Sequence, residues 1–152
     1  MQTAVTLRAA SVADERLLFD WVSDPAVRRS ARNRQAITWP EHRRWFAARL
    51  AASDCAIWIA ESNGEAVGQV RLDRDGACAE IDIAVAPDRR GRGYGQAMLR
   101  ALGTDHTLGV DCLRAAVRLE NAASVAMFRK AGFDETGRAD GFVNLEKWIL
   151  PS

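Results

Sequence analysis

Two hydrophobic periods run through this chain and change place at residue 55. Leu17, Leu18, Trp21 and Val22 fall on one helical face. Ser11 is placed to cap that helix, with Asp14 three residues on, and Asp24-Pro25 ends it. A short basic stretch, 27 to 34, follows without an assigned element. Thr38 and Glu41 have capping-box spacing at the head of a second helix, lined by Trp39, Trp45, Phe46 and Leu50. Ahead of both, Val5 to Arg8 alternates as a short strand.

From Cys55 the period becomes two. Ala56 to Ala60, Ala66 to Asp73 and Ala77 to Ala86 read as strands, separated by Asn63-Gly64 and Asp75-Gly76. Such pairs between alternating runs signal hairpins, because tight turns need positive φ. Pro87 stops this meander. A glycine-rich loop leads into a helix from Tyr94 to Leu102. A strand from Cys112 to Leu119, a helix from Ala122 to Ala131, and a hairpin of Phe133 to Thr136 with Phe142 to Ile149 around Asp140-Gly141 complete the order. One α/β domain over 1–152 is expected, with a mixed, mostly antiparallel sheet of about seven strands and helices on both faces.

Composition narrows the function. Apolar residues make up 48% of the 152, enough for one core, and the net charge of +1 excludes a strongly basic nucleic-acid binder. No stretch reaches membrane-spanning length, and Met1 to Val5 carries no basic segment followed by a long apolar one. Cys55, Cys78 and Cys112 are odd in number, lie in apolar runs and lack metal-ligand spacing. Buried free thiols, no metal and a reducing cytoplasm are therefore expected.

The chemistry concentrates in Val85-Ala86-Pro87-Asp88-Arg89-Arg90-Gly91-Arg92-Gly93-Tyr94-Gly95-Gln96. Glycines 91, 93 and 95 let successive N–H groups converge at a helix N-terminus, which attracts a phosphate or diphosphate. Arg89, Arg90 and Arg92 add charge. The spacing is not the G-x-G-x-x-G of a dinucleotide fold, and the Gly-Lys-Ser/Thr of a Walker loop is absent.

Arg90-Gly91-Arg92-Gly93-Tyr94-Gly95 resembles the R/Q-x-x-G-x-G/A motif of the GNAT acetyltransferase superfamily. The run from Asn121 through Ser124 and Phe128 to Gly132-Phe133 resembles its N-x-x-A/S-x-x-x-Y/F-x-K-x-G-F segment. The resemblance covers essentially the whole chain. It implies acetyl-CoA as co-substrate and transfer of acetyl to a primary amine. The amides of Arg90, Gly91, Arg92, Gly93, Tyr94, Gly95 and Gln96 would hold the diphosphate. Ile83, Ala84 and Val85, on a strand splayed at a bulge, would pair with the pantetheine arm. Asn121, with Ser124 one turn on and Phe128 beyond, would border the same arm. Asn121 also suits a helix N-cap.

A neutral amine must lose a proton as it attacks, and Glu80 and Asp82 share one face of the strand leading to the loop. Either is a candidate base, with Glu80 preferred. Phe128 stands where many relatives carry a tyrosine acid, so weak dependence on any single acid is expected. The thiolate resembles that of cysteine, with a pKa of about 8.5, and leaves without strong help.

The acceptor would be bounded by the segment between the first two strands. W-x-x-D-P-x-V-R from Trp21, then I-x-W-x-E-H-x-x-W-F from Ile37, resembles acetyltransferases of nucleotide-linked amino sugars, the pseudaminic-acid pathway type. That resemblance implies a lining of Arg28, Arg32, Asn33, His42 and Trp45. Acetylation of a protein N-terminus or ribosomal protein, and a non-catalytic acyl-CoA-binding module, are the alternatives. A homodimer is left open.

Overall fold

The computed structural model describes residues 4–31, 35–103 and 108–149. Strand β1 (Thr6–Ala9) leads through a 3-10 turn into helices α1 (Glu15–Val22), α2 (Pro25–Ser30) and α3 (Trp39–Ala51). The meander β2 (Cys55–Ser62), β3 (Glu65–Asp75) and β4 (Cys78–Val85) follows. Then come α4 (Tyr94–Leu102), β5 (Cys112–Arg118), α5 (Ala122–Lys130), β6 (Asp134–Ala139) and β7 (Phe142–Trp148). The sheet runs β1-β2-β3-β4-β5-β7-β6, and its β4–β5 pair is parallel while the others are antiparallel.

Alternation along the strands sends side chains to two cores. Val70, Leu72, Ala79, Ile81, Leu113 and Ala115 meet Met98, Leu102 and Phe128 of α4 and α5 on one face. Ile57 and Ile59 meet Leu18, Trp21 and Phe46 of α1 and α3 on the other. Helices on both faces agree with the expectation.

The turns follow the sequence with one shift. Asn63-Gly64 and Asp140-Gly141 both have positive φ at each central residue, which suits the twist of a two-residue hairpin. In the second hairpin Asp75 pairs with Cys78, so the turn is Gly76-Ala77 instead of Asp75-Gly76. There only Gly76 has positive φ.

Three readings change. The basic stretch after Asp24 contains a helix: Asp24 caps α2 by accepting from Ala26 N (3.1 Å) and Val27 N (3.4 Å), with Pro25 in the first turn. Asp-Pro thus ends one helix and starts the next. Ser11 and Asp14 cap a 3-10 turn ahead of α1. Finally, Cys78 and Cys112 are joined in a disulfide instead of being free, their Cα atoms 4.4 Å apart. They are register partners on β4 and β5, a neighbourhood set by the parallel crossover and invisible in a separation of 34 residues. Cys55 is buried and free, as expected. Burial and a hydrogen bond with Asp73 push its thiol up to about 11.

Asp14 joins β1 to α1. Its carboxylate accepts from Arg8 Nη1 and Nη2, both at 2.8 Å, and from Ser11 N at 2.9 Å, with 8% of its side chain exposed. The hydrogen bonds from Arg8 hold its pKa below the ordinary 3.8. The unfolded chain therefore takes up that proton more readily than the folded one. Asp14→Asn should lower the unfolding free energy at neutral pH by about 1–3 kcal/mol, read from urea unfolding. The wild-type advantage is complete above the ordinary carboxylate pKa and fades as the pH falls below it, so the two proteins should converge in acid.

Candidate active site

Strands β4 and β5 pair only where Cys78, Ala79 and Glu80 face Cys112, Leu113 and Arg114. Beyond that point β5 keeps its ladder to β7 through Arg118, while β4 keeps its ladder to β3 through Val85. The two strands part, and each is left with a backbone edge turned toward the gap. The β3–β4 register is continuous from Asp75↔Cys78 to Gly68↔Val85. The splay therefore arises from divergence of β4 from β5, without the expected bulge in the β3–β4 ladder. Ile83, Ala84 and Val85 occupy this open stretch and line a cleft of ≈1200 Å³.

At the mouth of the cleft the chain makes a 3-10 turn, Pro87–Arg89, and enters α4. Gly93 is the N-cap, at φ 82°, ψ 9°, and offers no side chain. The first-turn amides of Tyr94, Gly95 and Gln96 therefore point out of the helix without a capping side chain. A Cβ at Gly95 would lie 2.5 Å from Sδ of Met127 on α5, so a larger residue there would require the Met127 side chain to move. Gly91, Gly93, Gly95 and Gln96 all line the cleft. Main-chain donors at a helix N-terminus, beside a strand edge open to pairing, fit a diphosphate that continues into an extended arm.

The loop arginines are not simply spare charge. Arg89 bonds Glu65 and also meets the Tyr94 hydroxyl. Arg90 donates from Nη2 to Asp24 Oδ2 at 2.9 Å. Arg92 is exposed on the loop. Across the gap, Asn121 caps α5 by accepting from Ser124 N at 3.3 Å, and both residues line the cleft. Phe128 is buried edge-on against Phe133, centroids 5.0 Å apart, with its ring at the cleft wall. It brings no hydroxyl to that wall. Tyr94 lies at the head of α4 and packs on the main core.

On the α1–α3 side, Glu80 and Asp82 face the cleft. Asp82 lies just past the last β4–β5 pair, on the open stretch, while Glu80 sits in that pair. Gln69 donates to Asp82 Oδ2 at 2.8 Å, and Arg71 Nη1 stands 3.9 Å away. Arg71 also pairs with Asp73 at 2.8 Å and lies over the Trp45 ring, 5.1 Å from its centroid. Its pKa is raised: Asp82 and Asp73 outweigh desolvation, the largest influence, which acts in the opposite direction. The sequence missed Gln69 and Arg71, because the register that brings them to Asp82 is a cross-strand property.

Of the expected acceptor lining, Arg28, His42 and Trp45 all border the cleft, each held differently. Trp45 lines the cleft and is 37% exposed. Arg28 also lines it, but donates to Val22 O at 2.8 Å and Gln35 O at 3.0 Å, bracing the chain around α2. His42 is 3% exposed. Its Nε2 donates to Glu15 O at 3.2 Å, and its ring stacks on Phe46 with centroids 5.9 Å apart. The structure gives His42 a packing place among the rings of α1 and α3, and His42 also lines the cleft. Arg32 and Asn33 lie outside the described residues. Among the described residues no cluster of His, Cys, Asp and Glu is arranged for a metal, and no helix is long and apolar enough to cross a membrane.

A family model described as an acetyltransferase (GNAT) domain matches residues 4–134. An uncharacterized N-acetyltransferase of Methanocaldococcus jannaschii is 30% identical over 116 residues, covering 70% of this chain and 51% of that protein. The chain thus spans about half that relative's length. A spermidine N-acetyltransferase from Vibrio cholerae, in complex with CoA and spermine, superposes with a TM-score of 0.83 at 20% identity, over 95% of both chains. An aminoglycoside acetyltransferase in complex with coenzyme A gives 0.80 at 22% identity, again over 95% of both. At these identities the superpositions show a shared fold.

Burial, the largest influence, lowers the pKa of His42 below the ordinary 6.5. The folded state holds the neutral ring, and protonation favours the unfolded chain. That contribution to stability is intact above 6.5 and is lost as the pH falls below it. An NMR titration of the ring should show a midpoint below 6.5; a midpoint at or above it would contradict the packing place.

Proposed function

The chain belongs to the acetyltransferase (GNAT) family, and we propose that it transfers acetyl from acetyl-CoA to a primary amine by direct attack on the thioester. One observation carries this reading: the edge of β4 opens away from β5 at the foot of a helix whose first amides have no capping side chain. The loop amides and α4 suit the diphosphate. The Ile83–Val85 edge suits the amide-bearing pantetheine arm, which can pair as an added strand. Asn121 and Ser124 border the arm from α5.

The acceptor amine enters from the α1–α3 side, past Trp45 and Arg71. Its nitrogen attacks the carbonyl carbon, the C–N bond forms and the C–S bond breaks. A carboxylate on β4 removes the proton. Asp82 lies on the open stretch and Glu80 at its closed end, so the geometry favours Asp82 over the Glu80 expected first. Gln69 and Arg71 engage Oδ2 of Asp82 and orient the group. With Phe128 in the place of a tyrosine, the departing thiolate takes its proton from water.

A small-molecule amine is the acceptor best supported, since the superposed enzymes are named for spermidine and aminoglycosides. The nucleotide-linked amino sugar rests on the W-x-x-D-P-x-V-R resemblance alone, and it remains one arm of the test. Thiol release from acetyl-CoA should be measured with polyamines, aminoglycosides, nucleotide-linked amino sugars and peptides with free N-termini. Turnover with at least one small amine is expected. Tight CoA binding without turnover on any arm would favour a non-catalytic module.

Two substitutions give the reading a residue-level test. A side chain at Gly93, held at positive φ, strains the loop by about 1–3 kcal/mol. Gly93→Val should therefore raise the KM for acetyl-CoA about tenfold or more. Asp82→Asn should lower kcat by about 10²-fold, and Glu80→Gln by less than that. The reverse order would return the base to Glu80.

A further inference from the structure

We propose that Asp24 is a positioning residue that ties the diphosphate loop to the acceptor cap, so that one ion pair sets both halves of the cleft. The proposal rests on the acetyl-CoA reading only for the identity of the anion. Helix α2 is held at both ends by side chains from opposite arms of the split. At its start, Asp24 Oδ2 accepts from Arg90 Nη2 at 2.9 Å and from the amides of Ala26 and Val27. At its end, the Ala31 carbonyl accepts from Arg118 Nε at 2.8 Å. Arg90 belongs to the loop after β4, and Arg118 is the last residue of β5. Helix α2 is therefore a strap across the opening, and Ala26, Val27, Arg28 and Ala31 line the cleft beneath it.

Asp24 does two things with one oxygen. It caps α2, and it fixes a long cationic side chain on a loop shaped for an anion. The guanidinium carries five N–H donors in a rigid fork, and the pair with Asp24 occupies one of its nitrogens. The same group can hold Asp24 and a phosphate oxygen together. Fixing it beforehand removes an ordering cost that the arriving anion would otherwise meet. The coupling works in both directions: an anion that steadies Arg90 steadies the strap through Asp24, and a steadier strap favours the anion.

The variant that isolates the charge is Asp24→Asn, because asparagine caps a helix as well as aspartate does. Asp24→Ala removes cap and charge together. In Asp24→Asn, CoA affinity by calorimetry should fall about 3- to 10-fold. The KM for acetyl-CoA should rise by the same factor, with kcat at saturation within about twofold of wild type. A merely structural loss would lower kcat through the active fraction and leave KM alone. Combining Asp24→Asn with Arg90→Gln should cost no more than Arg90→Gln by itself, the signature of a coupled pair. In the ligand-free protein, hydrogen exchange of the α2 amides should be faster in both single variants.

Wild-type CoA affinity in Asp24→Asn, or an additive double mutant, would overturn the proposal and leave the acetyl-CoA reading standing. A wild-type chain that binds no CoA would remove the acetyl-CoA reading instead. The tie would then be judged by exchange in the ligand-free protein, where unchanged α2 exchange in Arg90→Gln overturns it and faster exchange supports it.

Discussion

Everything at the site depends on the brevity of the parallel contact between β4 and β5. Three register pairs hold the strands together, and a disulfide at the first of them, Cys78 with Cys112, closes that end. Past the third pair the strands follow different partners. Backbone N–H and C=O groups are costly to leave unpaired in a protein interior. A sheet that opens in its middle therefore creates edges that call for water or an extended ligand. The gap lies between the two cores, where α4 and α5 cover one face and α1 and α3 the other. A bound arm would consequently reach a reacting centre with an apolar wall on one side and the charged side chains of β3 and β4 on the other.

Those charged side chains form a connected set. Arg71 meets Asp73 and Asp82 and lies over Trp45, and Asp73 also accepts from Arg49 at 3.2 Å. Such pairs are partly exposed, so each contributes little to stability, on the order of 0–1 kcal/mol. Their larger effect is geometric. A carboxylate held by neighbours on its own sheet presents a fixed oxygen to the cleft, and fixed geometry is what proton transfer requires.

Sequence carried the fold further than it carried the acceptor site, and particular residues show why. The helix Tyr94–Leu102 is legible, because glycines end the preceding loop and an apolar face begins at once. The Asn63-Gly64 and Asp140-Gly141 hairpins were legible because positive φ is a local demand. Helix α2 does not stand out in the sequence although Asp24 and Pro25 announce it, since a helix of six residues shows too little periodicity. The pairings Cys78–Cys112, Asp24–Arg90 and Arg71–Asp82 were not legible. Each is fixed by strand register or by the crossing of distant segments, and no local spacing encodes those.

The same contrast separates the two halves of the proposed chemistry. The cofactor half is built mainly from main chain: amides at the head of α4 and the bare edge of β4. Main-chain recognition requires particular backbone shapes, so it leaves a compact trace of glycines at fixed spacing. The acceptor half is built from side chains on β3, β4, α2 and α3, whose identities can change without altering any backbone shape. In the proposed reading, Asp24 and Arg90 are where the two halves meet, an acceptor-side cap holding a cofactor-side cation. On that reading, acceptor side chains of this chain can change without disturbing the cofactor backbone as long as the Asp24–Arg90 contact holds α2 against the loop.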